Sequence, residues 1–413
     1  MSRDMYRNIT PDSFPAEMEI SFGSGSERQV LQYQRVTWTI DAEERGLRYG
    51  ENPDQPAALY RLVNGNLVLG GVTQIAPGRG LASTTELLQS GKHPSKINIT
   101  DIDSALGILR YFTDENAAVI VKHNNPSGVA LADSLEEAYQ RALMADRIAA
   151  FGGTIAVNGE VSRELAERIV AYYAEVVVAP EYSAGALEVF AARKNLRVCR
   201  IAAMQRLHEY RATRFVDLHS LVDGGLVAQW SFQPVDLAEF DLQPATASGK
   251  GGDARIERAP TADEAADMRF GWFVESGVTS NSVIYVRDRC TVAIGTGEQD
   301  RVGVARIARD KAIWKDADRR AVLDCGLGIE ELSDPAEREQ YLAAARVESG
   351  GLRGATMVSD AFFPFPDGAL VGLEAGVSAI VQPGGSIRDV EVIDAVNRYG
   401  ATMVFTGQRS FRH

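Results

Sequence analysis

Ala117-Ala118-Val119-Ile120-Val121 is an unbroken apolar run that passes directly into Lys122-His123-Asn124-Asn125-Pro126-Ser127-Gly128. A short β-branched run bounded by turn residues reads as a strand buried on both faces. Beyond the polar loop a helix opens at Ser134, where Glu137 completes a capping-box pattern. In that helix Leu135, Ala138, Tyr139, Ala142 and Leu143 share one face suited to packing on a sheet. The same alternation returns near the C-terminus. Val377–Val381 (VSAIV) is followed by a Pro-Gly-Gly-Ser loop, a helix bearing Val390, Ile393 and Val396, and then Ala401–Phe405 (ATMVF). Strand, helix and strand in succession favour an α/β fold with helices covering a mainly parallel sheet.

Between these regions Pro244–Pro260 (PATASGKGGDARIERAP) is poor in large apolar residues, so it reads as a linker over 244–260. Two α/β lobes are expected, 45–243 and 261–413. Residues 1–44 form an N-terminal extension with a polar opening and an alternating strand from Gln29 to Ile40. The chain has no repeat of solenoid or propeller period.

Composition excludes several classes. Of 413 residues, 45% are hydrophobic and 24% charged, and no segment approaches the roughly 18 apolar residues of a membrane span. The 43 basic and 56 acidic residues leave a net charge of −13, which opposes a nucleic-acid partner. The basic run Arg193–Arg214 lacks regular aromatic interleaving and reads as a solvated face. Cys199, Cys290 and Cys325 stand far apart, with no zinc or disulfide pattern, so no metal site is expected. The first residues lack an apolar signal core, and the expectation is a cytoplasmic protein.

In α/β sheets ligands bind beyond strand carboxyl ends, so polar residues there are the first candidates. Lys122 and His123 occupy one strand mouth: a proton donor and a base, or a solvated turn. Ser359–Gly368 occupies another, with three Phe, two Pro and two carboxylates, suited to a flat heteroaromatic ligand or to a hydrophobic plug. Gln382-Pro383-Gly384-Gly385-Ser386 precedes a helix, where free N–H groups could hold an anion or the glycines simply make a tight turn. Arg48 and Tyr49 offer a phosphate clamp or a solvated surface pair. Gly295-Thr296-Gly297 lacks both the dinucleotide and the Walker pattern.

Taken together, LRYGENP (47–53), KHNNPSG (122–128), AFGG (150–153), SNSV (280–283), SDAFFPF (359–365), QPGGSIRD (382–389) and FTGQRSFRH (405–413) carry a resemblance. Over about residues 46–413 the chain resembles the transformylase part of the bifunctional purine-biosynthesis proteins, aminoimidazole carboxamide ribonucleotide (AICAR) formyltransferase. The resemblance implies two cytidine-deaminase-like α/β lobes. It also implies a stand-alone transformylase without IMP cyclohydrolase activity, working beside a separate cyclohydrolase, and a homodimer. The implied reaction moves a formyl group from 10-formyltetrahydrofolate to the 5-amino group of AICAR. On matching positions, His123 is the general base and Lys122 the cation that steadies the oxyanion and protonates folate N10. Arg48, Tyr49, Gly152, Glu175, Asn281, Phe362 and Arg409 fall on AICAR-binding positions. Glu298, Asp367, Ser386 and Ile387 fall on folate-binding positions, with no catalytic metal.

The chain departs from the family pattern at three places. Glu298 replaces a neutral amide, Pro366 replaces an Arg, and Gly91-Lys92-His93-Pro94-Ser95-Lys96 replaces the usual Ser-Tyr-Asn-Asn segment. Glu298 leaves formate with ATP as an alternative donor, although no ATP motif accompanies it. Two other readings stay open: a deaminase-like hydrolase, opposed by the missing zinc signature, and a non-catalytic nucleotide-binding protein.

Overall fold

The computed structural model describes residues 13–40, 42–70, 72–73, 77–236, 242–249 and 252–413. The polar opening at residues 1–12, and Lys250 and Gly251 of the expected linker, lie outside the described residues. The protein has an α/β fold. It divides into two compact units: the described residues up to Asn116 with Val121–Asn124 and Gly152–Gln233, and Ala117–Ile120 with Asn125–Phe151 and Pro234–His413.

In the first unit the strands Thr154–Val157, Val176–Ala179 and Arg197–Arg200 run parallel, and Glu86–Gln89 pairs antiparallel with the last. The two central strands are fully buried, which their runs of apolar residues, Ile155–Val157 and Val176–Ala179, require. The helices Lys96–Leu109, Arg163–Val170 and Ala184–Phe190 also belong to this unit, each opened by a Ser whose side chain accepts a backbone N–H. The strand expected from Gln29 to Ile40 is present as Gln29–Arg35 and Trp38–Ile40. Its first part pairs with Glu17–Phe22 and with Tyr60–Asn64, so the extension continues into a sheet with residues beyond 44.

In the second unit Thr356–Ser359, Ala379–Gln382 and Thr402–Phe405 are parallel, with the helices Pro366–Glu374 and Asp389–Arg398 between them, as the C-terminal pattern predicts. Val283–Arg287 is antiparallel to Thr356–Ser359 and to Cys290–Gly295, which touches Asn125–Ala132. The sheet pairings are therefore mixed. Residues 244–260 are not a linker: Thr246–Gly249 and Gly252–Arg255 form a hairpin. Ala245 and Ile256 are buried in the second unit's core, with Ala247 and Ala254 packed against it. Small apolar residues at alternate positions suffice to dock a hairpin, although they give little hydrophobic signal in sequence.

The polar loop expected after Val121 is shorter than the sequence suggests. The strand Asn116–Lys122 turns through His123 and Asn124 alone into the strand Asn125–Ala132. Both turn residues have left-handed backbone, φ 55° and 63°, the signature of a two-residue type I′ hairpin. Asn-Pro and Ser-Gly suggested a longer loop, whereas Val129, Ala130 and Leu131 continue as buried strand.

A second copy of this arrangement follows later in the chain. The helix Ala262–Glu275 leads into Val283–Arg287, a two-residue turn at Asp288 and Arg289 (φ 54° at both), and Cys290–Gly295. Both helices open with a full capping box, Ser95 with Asn98 and Thr261 with Glu264. Each then presents an Asp to the N–H groups of its turn. Asp101 accepts from His123 and Asn124, the latter at 2.7 Å, and Asp267 accepts from Asp288 at 3.0 Å and Arg289 at 2.7 Å.

Gly128 sits where the strand Asn125–Ala132 lies against the helix Leu135–Ala145, and a Cβ there would overlap the Ala142 carbonyl oxygen. Gly128→Ala is expected to lower stability by about 1–3 kcal/mol, the usual cost of overpacking, measured by urea denaturation against wild type.

Candidate active site

The first unit gathers one group of candidate residues. Gly50 donates to the Gln55 carbonyl at 2.7 Å and closes a tight turn, while the Arg48 N–H bonds Pro94 O and the Lys96 N–H bonds Tyr49 O, both at 2.9 Å. These backbone bonds fix Arg48 and Tyr49 beside the N-terminus of the helix Lys96–Leu109. Arg48 is 7% exposed, its guanidinium stacks over the Tyr49 ring at 4.6 Å and donates to the Tyr49 hydroxyl at 2.7 Å. Its Nε has no partner among the described residues.

Arg197, at the start of the strand Arg197–Arg200, is 3% exposed. Its Nε donates to Lys92 O at 3.2 Å and its Nη1 lies 3.6 Å from Glu175. Burial lowers the pKa of Arg197, opposed by Glu175 and reinforced by the charge of Arg48. His93 is buried beside these cations, with Nδ1 3.3 Å from Gly46 O, and burial followed by the charges of Arg45, Arg48 and Arg197 holds its pKa down. Glu175 is the carboxylate among them, half-buried, with Asn98 Nδ2 at 3.5 Å from its Oε2. Gly152 joins this wall: its N–H bonds Tyr173 O at 2.8 Å, and Glu175 N–H bonds Gly153 O at 3.1 Å. Two buried guanidiniums against one half-buried carboxylate leave a positive excess, which favours an anionic ligand.

Lys122 ends its strand half-buried, and His123 is exposed at the turn. A left-handed backbone at a non-glycine residue is held only where its surroundings demand it. Here Asp101 supplies the demand. It is 4% exposed, and burial raises its carboxyl to about 6 against the favourable N–H bonds and the charge of His123.

The second unit gathers the other group, arranged around Asp360. This carboxylate is fully buried and pairs with Arg301. It also accepts from the Ser280 hydroxyl and the Ser282 N–H, and the main-chain carbonyl of Asp360 receives the Ser410 N–H at 2.9 Å. Arg301 Nη2 reaches Asn281 Oδ1 at 3.1 Å, and Asn281 Nδ2 donates to Gln299 O at 2.9 Å, so the amide is held from both ends. Glu298 meets Asn281 through its backbone carbonyl at 3.3 Å, while its carboxylate accepts the Gln299 N–H. Glu275, fully buried, accepts from the Ser282 hydroxyl at 2.6 Å, and burial pushes its carboxyl well above the ordinary range.

The Phe-rich loop divides its labour. Phe363 is fully buried in the core, whereas Phe362 and Phe365 are exposed. Pro366 opens the helix Pro366–Glu374, where a missing N–H costs nothing, and Asp367 stands exposed in its first turn. Ile387 is exposed, and Arg409 is exposed with its guanidinium 4.3 Å over the Phe411 ring. The N–H groups of Gly385 and Ser386, expected to be free for an anion, instead bond Asp389 Oδ2 at 2.7 and 3.0 Å. The chain supplies that anion itself, and Ser386 is left with its hydroxyl accepting from Arg388 N–H at 3.2 Å.

Sequence reading missed Asp101, Arg197, Asn98 and Arg301 as site components, and it placed Asp360 at a strand mouth without its buried partners. Arg197 was hidden in a run read as a solvated face, and only the helix-face position of Asp101 could have marked it.

These features define an α/β protein whose first unit holds two buried guanidiniums and a strand-end Lys-His pair. The family model described as AICARFT/IMPCHase bienzyme matches residues 18–311, and the chain belongs to that family. It is 39% identical over 403 residues to the bifunctional purine biosynthesis protein PurH of Sorangium cellulosum, covering 97% of this chain and 64% of that protein. The PurH proteins of Magnetococcus marinus and Agrobacterium fabrum are 37% and 40% identical, over 95% and 89% of this chain and 62% and 58% of theirs. The chain spans about three fifths of the length of these relatives.

The raised pKa of Asp101 has a testable sign. Its contribution to stability is full below the ordinary value of 3.8 and is lost as pH rises through about 6, so the ionised group is a cost at neutral pH. Asp101→Asn is expected to be more stable than wild type by about 1–2 kcal/mol at pH 7.5, with the advantage gone at pH 4, read from denaturation curves at both pH values.

Proposed function

We propose that the chain is an AICAR formyltransferase that takes its formyl group from 10-formyltetrahydrofolate in purine biosynthesis. The observation that carries this reading is the Asp101-held turn, which presents His123 beside Lys122 in the unit that also holds two buried guanidiniums. The phosphate of AICAR is the dianion that Arg48 and Arg197 would neutralise, with Tyr49, Gly152 and Glu175 along the same wall. Asn281, Phe362 and Arg409 are proposed as further nucleotide-binding residues. Glu298, Asp367, Ser386 and Ile387 are proposed as folate-binding residues.

The 5-amino group of AICAR is conjugated to the imidazole and carboxamide, so it attacks poorly until its proton is removed. His123 takes that proton as the nitrogen adds to the formyl carbon. The tetrahedral oxygen gains negative charge, which the Lys122 ammonium steadies. The C–N10 bond then breaks, N10 receives a proton from Lys122, and the proton held by His123 restores the pair. Formyl-AICAR and tetrahydrofolate leave. The protein is proposed to act as a cytoplasmic homodimer.

The deciding experiment is a steady-state assay with AICAR and either 10-formyltetrahydrofolate or formate plus ATP. Activity is expected with the folate, reduced by about 100-fold or more in His123→Ala. Turnover with formate and ATP alone would transfer the donor assignment away from folate and point to Glu298. Arg48→Ala is expected to raise KM for AICAR by about tenfold or more with a smaller change in kcat, as loss of a ground-state phosphate contact requires.

A further inference from the structure

We propose that Asp101 is the positioning residue for His123: from the helix Lys96–Leu109 it locks the left-handed turn and sets a carboxylate beside the imidazole. The inference rests on the reading of His123 as general base.

The geometry is specific. Asp101 Oδ1 accepts the Asn124 N–H at 2.7 Å, and the same carboxylate accepts the His123 N–H. Two backbone bonds to one rigid helix leave the turn no freedom to swing, so the direction of the His123 Cα–Cβ bond is fixed by the helix. The charged and titratable groups that face Asp101 are His123 on the turn and Glu175 before the strand Val176–Ala179. When His123 takes a proton from the nucleophile, its new positive charge therefore arises beside a buried negative one. Asp101 receives no proton in that step.

The second copy of the hairpin separates anchoring from this electrostatic role. Asp267 holds the Asp288–Arg289 turn through the same pair of N–H bonds, and it too is buried with a raised pKa. Asp288 and Arg289 occupy the place that His123 and Asn124 have in the first copy, so that turn offers no imidazole. Anchoring is thus common to both carboxylates, and proximity to a base belongs to Asp101 alone.

The test compares Asp101→Asn, Asp267→Asn and His123→Ala in the full chain with AICAR and 10-formyltetrahydrofolate. Asp101→Asn is expected to lose about tenfold or more in kcat with KM for AICAR within about threefold, and to change the acid limb of its pH–rate profile near pH 6. Asp267→Asn is expected to keep kcat within about twofold. Asp101→Asn at wild-type kcat, or equal losses in both Asn variants, would overturn the inference while an inactive His123→Ala leaves the functional reading standing. A fully active His123→Ala would sink that reading first. Should Asp101→Asn fail to fold, the amide ¹⁵N–¹H resonance of Asn124 in wild type decides. It should titrate with a midpoint near 6 as its acceptor ionises, and an amide indifferent to pH would refute the anchor.

Discussion

A buried carboxylate must be surrounded by donors or give up its charge, and each unit of this protein is organised by that requirement. In the first unit Asp101 draws the N–H groups of His123 and Asn124 toward the helix Lys96–Leu109 and so creates the tight left-handed turn. In the second unit Asp360 collects Ser280, Ser282, Arg301 and the Ser410 N–H. Candidate residues from distant parts of that unit's chain are thereby brought to one point. Asn281 is oriented through Arg301, and the segment carrying Arg409 is tied down through Ser410.

The cost of this arrangement is visible in the groups it perturbs. Asp101 and Glu275 are raised by burial, while Arg197 is lowered. Arg48 keeps an unpartnered Nε in the interior among the described residues. Such groups weaken a fold when nothing is bound and become favourable when a ligand of opposite charge arrives. A site assembled from them is preorganised, because its donors already point where charge will appear. Stability and function therefore pull apart at Asp101, whereas at Gly128 only packing is at stake.

The repeated hairpin shows how the same backbone serves two ends. Both copies have a capped helix, a buried Asp and a two-residue turn with positive φ. One turn holds His-Asn and the other Asp-Arg, and the sequences around them share too little to betray the repetition. Hydrogen bonds to main-chain N–H groups do not depend on the turn's side chains, so the geometry survives their exchange.

Buried strands were legible in the sequence wherever apolar residues ran unbroken, as at Ala117–Val121 and Ala379–Val381, because such runs have nowhere to go but a core. The candidates Lys122, His123 and Arg48 were singled out from the order of their motifs along the chain. The hairpin at 246–255 was not, since Ala and Gly carry little hydrophobic signal, and the length of the turn at His123 was not, since Asn-Pro and Ser-Gly also occur in longer loops. Nor could the sequence tell that the N–H groups of Gly385 and Ser386 are satisfied by Asp389. The sequence determined which segments must be buried and which chemical groups stand at their ends. Tertiary structure alone decided which carboxylate meets which donor, because hydrogen bonds and ion pairs join residues far apart in the chain and depend on distance and direction that no local pattern encodes.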